Sequence, residues 1–243
     1  MDDAWVERMG RTIFSSSADQ AAHAAAAALA EGIVPDAVGE AISLAANQLV
    51  LRDAGRTAAM EVPGKPIGSV HGDSIGVHAC DSANAWRQMA REPNRRNTFA
   101  CLILGAYQAA LDRANRGGDF LSWAPLPLPS HLERLKASSP EDLLRNLDSA
   151  IRENLQARAC TVVQRYGDLG HPARAVFDVL LKYAVSEDGA LHAEKYYRTV
   201  TDEFASTRPA FRWRQVVALA RVTASEYGRR APGYDEAVSL LKV

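Results

Sequence analysis

Between punctuating glycines and prolines, the apolar residues of this chain recur every three or four positions, and alternation at every second position is nearly absent. That period belongs to amphipathic helices, so the sequence predicts an all-α fold. Ser17-x-x-Gln20 has the capping-box pattern ahead of an Ala-rich helix that ends at Gly32. Pro35 and Asp36 suit the first turn of a second helix running to about Asp53, with Val38, Ala41, Ile42, Ala45 and Leu49 along one face. A third helix carries DSIGVHACDSANAWRQMA. A fourth, from about Asn97 to Asn115, sets Phe99, Leu102, Ile103, Ala106, Tyr107 and Ala110 on one stripe. Ser139, followed by Pro140, Glu141 and Asp142, opens another helix with Ser as its cap.

Two stretches interrupt this pattern: AGRTAAMEVPGKPIG, and GGDFLSWAPLPLPSH, whose prolines make it a connector between two halves. The second half then replays the first. ALAEGIVPDAVGEAISLAANQLVLRD corresponds to VVQRYGDLGHPARAVFDVLLKYAVSED, VHACDSANAWRQM to LHAEKYYRTVTDEF, and NTFACLILGAYQAALDRA to PAFRWRQVVALARVTASEY. His78 stands 21 residues before Phe99 and His192 stands 19 before Phe211. The expectation is a single helical domain, residues 1–243, built from two pseudo-repeated four-helix units at about 17–120 and 139–243, joined by a connector at about 117–138. The two would pack face to face about a pseudo-twofold axis. Phe99 and Phe211 become equivalent core residues, and His78 and His192 equivalent positions on the third helix of each half.

Composition narrows the function classes. Apolar residues make up 47% of the chain, ample for a sizeable core. Basic and acidic residues nearly balance, 28 against 29, so no general attraction to nucleic acid or an anionic membrane is expected. The cluster Arg91 to Arg96 includes an acid and reads as a solvated helix end or loop. No opening run resembles a signal peptide, and no apolar stretch reaches the roughly 18 residues of a membrane span. Cys80, Cys101 and Cys160 have no paired spacing and read as small core residues in a reducing, cytoplasmic compartment. Nucleotide-binding glycine motifs, nucleophile elbows and kinase signatures are missing.

The candidate chemistry lies in SVHGDSIGVHACDSANAW, where His71 and His78 stand seven residues apart with acids beside them. If the helix reaches His71, both imidazoles share one face two turns apart. Neutral imidazole and carboxylate are usual ligands of iron, manganese or zinc, and helical bundles gather them from facing helices. The metal candidates are His71, His78 and His192, with Asp73, Asp81 or Glu194 completing the shell. Neither HExxH, nor CxxC, nor the Glu-x-x-His pair of di-iron bundles occurs. Three readings follow. One is a metal-dependent oxidoreductase or oxygenase-like enzyme acting on a small organic substrate, non-haem iron being one candidate metal, with His78, His192 and Tyr196 catalytic and Trp86 in the pocket wall. Another is a metal-free enzyme using His78 or His192 as general acid/base. The last is a helical module for a protein partner or a homo-oligomer, with the histidines as hydrogen-bonded core groups.

GDSIGVHACDSANA resembles a stretch of the helical region appended to some Rieske-type iron–sulfur proteins. Gly72, Asp73, Val77, His78, Ala83, Asn84 and Ala85 carry the resemblance, and His192 opens a later helix as the corresponding histidine does there. The layout is loosely similar to questin-oxidase-type helical oxygenases. The resemblance implies a helical fold and an oxidative role. A Rieske cluster needs two Cys-x-His ligand pairs, and this sequence supplies none, so the expectation is a helical module without an iron–sulfur cluster.

Overall fold

The helical period is realised in full. A computed structural model of the chain describes residues 1–71, 74–91, 94–188 and 192–242. Among these residues are twelve α-helices and one 3-10 turn, and β-pairing is confined to isolated bridges, Val62 with Lys65 and Glu187 with Arg230. No described helix is long and apolar enough to cross a membrane. The chain forms two compact units that interleave along the sequence. One comprises Met1–Asp53, Ile75–Trp123 and Asp202–Arg212, the other Ala54–Ser74, Ala124–Thr201 and Trp213–Val243.

The first unit holds α1 (Asp3–Ser15), α2 (Ala18–Ala30), α3 (Pro35–Arg52), α4 (Ile75–Met89) and α5 (Arg95–Arg116). The caps explain where these start. Ser17 and Gln20 form the reciprocal capping box of α2, Pro35 opens α3, and Asn94 accepts from the first-turn amides of α5. α3 runs through the middle, packed by α1, α4 and α5, and nearly every residue from Ala37 to Leu51 is buried. Its polar residues Glu40, Ser43 and Asn47 recur at helical spacing and are buried too.

Two of them grip the segment Asp202–Arg212, contributed by distant sequence. Glu203 on α10 (Ala193–Ser206) accepts from Ser43 Oγ at 2.7 Å and from Arg87 Nη1 of α4 at 2.6 Å, with both charged side chains at most 3% exposed. Arg87 also donates to the Ser206 carbonyl at 2.9 Å. Glu40 accepts from the Arg208 amide and from its Nε, each at 2.8 Å, while Arg208 Nη1 reaches Asp3 of α1 at 2.9 Å. Hydrogen bonds to Asp3 and Glu40 together hold the Arg208 guanidinium above its usual pKa, against the opposing effect of burial.

The second unit holds α6 (Pro129–Arg134), α7 (Pro140–Arg152), α8 (Gln156–Asp168), α9 (Ala173–Ser186), most of α10, α11 (Arg212–Glu226) and α12 (Tyr234–Leu241). α7 starts at the expected Ser139 cap, whose Oγ accepts from the Asp142 amide. α8 packs on α11 at Gly167, where any Cβ would fall 2.4 Å from the Trp213 ring. The loop between α3 and α4 belongs to this unit. Its base closes through Arg56 N–H to the Ser69 carbonyl and Gly68 N–H to the Arg56 carbonyl. Gly55 makes that closure possible: its φ is 81°, and a Cβ would lie 2.2 Å from the Gly68 oxygen.

Two sequence expectations need correction. On α5 the inward face is Thr98, Leu102, Gly105, Ala106, Ala109 and Ala110, while Phe99, Ile103 and Tyr107 are only half-buried. The reason is close packing of small residues. Ala-rich α2 lies along α5, and the bare Gly105 admits Trp86, whose Cβ would be 3.2 Å from an added methyl. Phe99 therefore sits outward, 5.2 Å beneath the Arg95 guanidinium, whereas Phe211, in the turn before α11, is 5% exposed. The proline-rich connector is also less of a spacer than its composition suggests. Phe120 is 1% exposed and packs edge-on against Phe14 of α1, with ring centroids 6.4 Å apart. Helices α1, α6 and α12 have no counterpart in the sequence reading.

Replacing Glu203 with Ala strands the Arg87 charge in the interior and is expected to cost about 3–5 kcal/mol. The double change Arg87→Met with Glu203→Leu should cost far less, because no unpaired charge remains. Urea denaturation of the three proteins measures both. A double variant as unstable as Glu203→Ala would show that the pair is not what binds this segment.

Candidate functional site

The histidine-bearing stretch does not lie on one helix. α4 begins at Ile75, so His71 precedes it and is buried at 2% exposure, while His78 lies inside α4 and is exposed. The helix does not reach His71, so the two imidazoles do not share one helix face. Gly76 gives the physical reason for the position of α4. A Cβ there would meet the α3 backbone, 2.9 Å from Val50 N and 3.0 Å from Leu49 C, so the two helices approach backbone to backbone. Val77, Ala79, Cys80 and Ala83 continue that buried face, which turns His78 outward.

The charge of His78 is felt by a residue absent from the sequence reading. Asp112, on the last turns of α5, is 6% exposed, and its Oδ1 accepts from Gln108 Nε2 at 2.7 Å, one helical turn earlier. Burial raises the Asp112 pKa above the ordinary carboxylate value of 3.8; the Gln108 hydrogen bond and the His78 charge pull it partly back. α4 and α5 are packed neighbours, and the exposed imidazole of one lies within electrostatic range of the buried carboxyl of the other. Asp112 sits on the buried side of a helix whose sequence reads as an ordinary amphipathic stripe, and its only sequence signal is Gln108 four residues before it.

The remaining candidates are distributed as follows. His78 and Asp81 belong to the first unit, with Asp81 half-buried one turn beyond His78 on α4. His71, His192, Glu194 and Tyr196 belong to the second. His192 immediately precedes α10 and its carbonyl accepts from the Tyr196 amide, so it occupies the cap position rather than the helix interior where His78 lies. Glu194 is exposed in the first turn of α10, and Tyr196 is fully buried. Asp73 lies outside the described residues. Among the described residues no group of three or more histidine, cysteine, aspartate or glutamate side chains could hold a metal ion. Trp86 fills the notch at Gly105, and Asn84 accepts from Gln88 along α4, both local packing roles. Cys80 and Cys160 are buried and Cys101 half-buried. Burial pushes the Cys160 thiol up to about 12, so at neutral pH it is an inert core group.

No protein-family model matches the chain, and the comparisons with curated proteins and with solved structures likewise give no match.

Two outcomes test this geometry. Gly76→Val forces α4 away from α3 and should destabilise the protein by roughly 1–3 kcal/mol, read from its urea midpoint; an unchanged midpoint would mean that the approach at Gly76 does not set the position of α4. Asp112 generates a pH signature. Its folded-state pKa is raised, so the folded chain holds the proton more tightly than the unfolded chain. The resulting penalty is absent below 3.8 and grows as the pH climbs through the raised value. Relative to the parent, Asp112→Asn should therefore gain stability as the pH goes from about 3 to about 7. A stability difference that stays flat or falls over that range would contradict the assignment.

Proposed function

We propose that the chain is a helical enzyme that moves a proton on a small organic substrate, with His78 as the general acid/base. Asp112 is its positioning residue. The observation that supports this reading is the exposed imidazole of α4 in electrostatic range of the buried, Gln108-held carboxyl of α5. Imidazole is the side chain whose proton is exchanged most readily near neutral pH. A carboxylate behind it fixes the ring and balances the imidazolium formed when a substrate proton is taken. Being accessible, His78 can reach a substrate directly; being buried, Asp112 acts only through His78.

The test uses the full chain freed of metal by chelation. It is assayed against small esters, enolisable ketones and 5-nitrobenzisoxazole, a ring opened by a positioned base. Any turnover should disappear in His78→Ala. In Asp112→Asn, kcat should fall by about 10²-fold with little change in KM, and the pH–rate profile should move. Turnover that survives His78→Ala would remove His78 from the chemistry. Stoichiometric iron, manganese or zinc in protein purified without added metal, lost in both His78→Ala and His192→Ala, would replace proton transfer by the metal-dependent oxidoreductase reading. In that case His71, His78 and His192 with Asp73, Asp81 or Glu194 become the ligand candidates.

A further inference from the structure

The second unit carries a cleft of about 560 Å³, formed by α6, the α7–α8 turn and the first two turns of α8. That volume is in the ordinary range for small-molecule sites. Its floor is apolar, with Leu135, Leu155 and Val162, and its charged lining is of one sign, Arg134 and Arg158, with His131 beside them and no acidic residue among those that line it. In a chain with 28 basic and 29 acidic residues, such a wall is a local departure from balance. α8 adds to it, because Leu155 at its N-cap supplies no side-chain cap and the positive end of the helix opens at the cleft.

The cleft is built by residues already committed elsewhere. Asn154 adopts the left-handed conformation, φ 53°, and its Nδ2 donates to the carbonyls of Ala224 and Tyr227, each at 2.9 Å. Gln156 Nε2 donates to the Gly68 carbonyl at 2.9 Å. These bonds fix the turn and engage the amide donors of Asn154 and Gln156, while Thr161 Oγ1 donates to the Ala157 carbonyl within α8. Arg158 is held by Asn146, whose Oδ1 accepts from Nη2 at 2.6 Å. The side chains of Arg134 and His131 have no hydrogen-bond or ion-pair partner among the described residues. A pre-shaped apolar floor beside two guanidinium groups, Arg134 unengaged, and the imidazole of His131 matches an amphiphile with one anionic end. A guanidinium pairs with a carboxylate through two parallel hydrogen bonds.

We propose that this cleft is a binding site for a small amphiphilic carboxylate, its aromatic or branched aliphatic body on Leu135, Leu155 and Val162 and its carboxylate on the basic wall of Arg134, Arg158 and His131. The site belongs to the second unit and is independent of the chemistry assigned to His78.

The probe is 1-naphthoate, titrated into the full chain by calorimetry, with 1-naphthamide as its neutral counterpart and inorganic phosphate as an anion without a body. One 1-naphthoate should bind per chain, with the amide and phosphate each at least tenfold weaker. Arg134→Gln, a change at an exposed position, should weaken 1-naphthoate binding roughly tenfold and leave the amide unchanged. Ala157→Trp, which fills the cleft, should abolish binding of both. Far-UV circular dichroism and the thermal midpoint establish that each variant is folded; if Ala157→Trp is not, Arg134→Gln alone decides. Binding in His78→Ala should equal that of the parent. The proposal is overturned by any of three results: no saturable binding at millimolar 1-naphthoate, equal affinity for acid and amide, or affinity untouched by Arg134→Gln.

Discussion

The first unit depends on a buried ion pair between residues distant in sequence. Arg87 and Glu203 lie 116 residues apart in sequence and meet at 2.6 Å with almost no exposure. Removing two charges from water is costly, and the pair is tolerable because other hydrogen bonds share the load. Ser43 adds a donor to Glu203, and the Ser206 carbonyl adds an acceptor for Arg87. The second clamp, Glu40 on Arg208, works on the same segment from one turn earlier on α3. Because Ser43, Glu40 and Arg87 come from the central helix and its neighbour, the residues 202–212 are as much a part of that unit as its own helices.

The frame that results explains where the candidate chemistry falls. α4 carries Arg87 near its end and His78 near its start, and it is pressed against α3 at Gly76. Those two constraints, an ion pair at one end and a backbone approach at the other, leave the helix little freedom to rotate. Rotation would bury His78 or withdraw it from Asp112. Rigid helices make precise platforms for side chains, and neither His78 nor Asp112 rides on a loop.

The second unit solves a different problem, closing loops and turns with side-chain amides. Asn154 and Gln156 tie the α7–α8 turn to the end of α11 and to the α3–α4 loop. Glu187, 6% exposed, accepts from the Gly228 amide at 3.0 Å and holds the turn after α11. With Asn154 and Gln156 engaged in this way, the turn that borders the neighbouring cleft is fixed in place.

Helix identity was legible in the sequence because it is set locally. The Ser17–Gln20 box, Pro35 and Ser139 act within one turn, and the observed helices begin where these residues place them. The alanines of α2 and the apolar stripe of α3 follow from periodicity in the same way. Which face of a helix is buried is not local, and there the pattern misled. Small residues on α5 turned inward and Phe99 outward, because close packing against α2 and Trp86 rewards missing volume rather than apolar bulk. Glu40, Ser43 and Asn47 look in sequence like the solvated side of α3, yet they are buried; Glu40 and Ser43 meet partners more than 150 residues away. His78 could be singled out by residue type alone. Its partner Asp112 could not, since its role comes from the desolvation and packing of two helices, and only the tertiary structure supplies those.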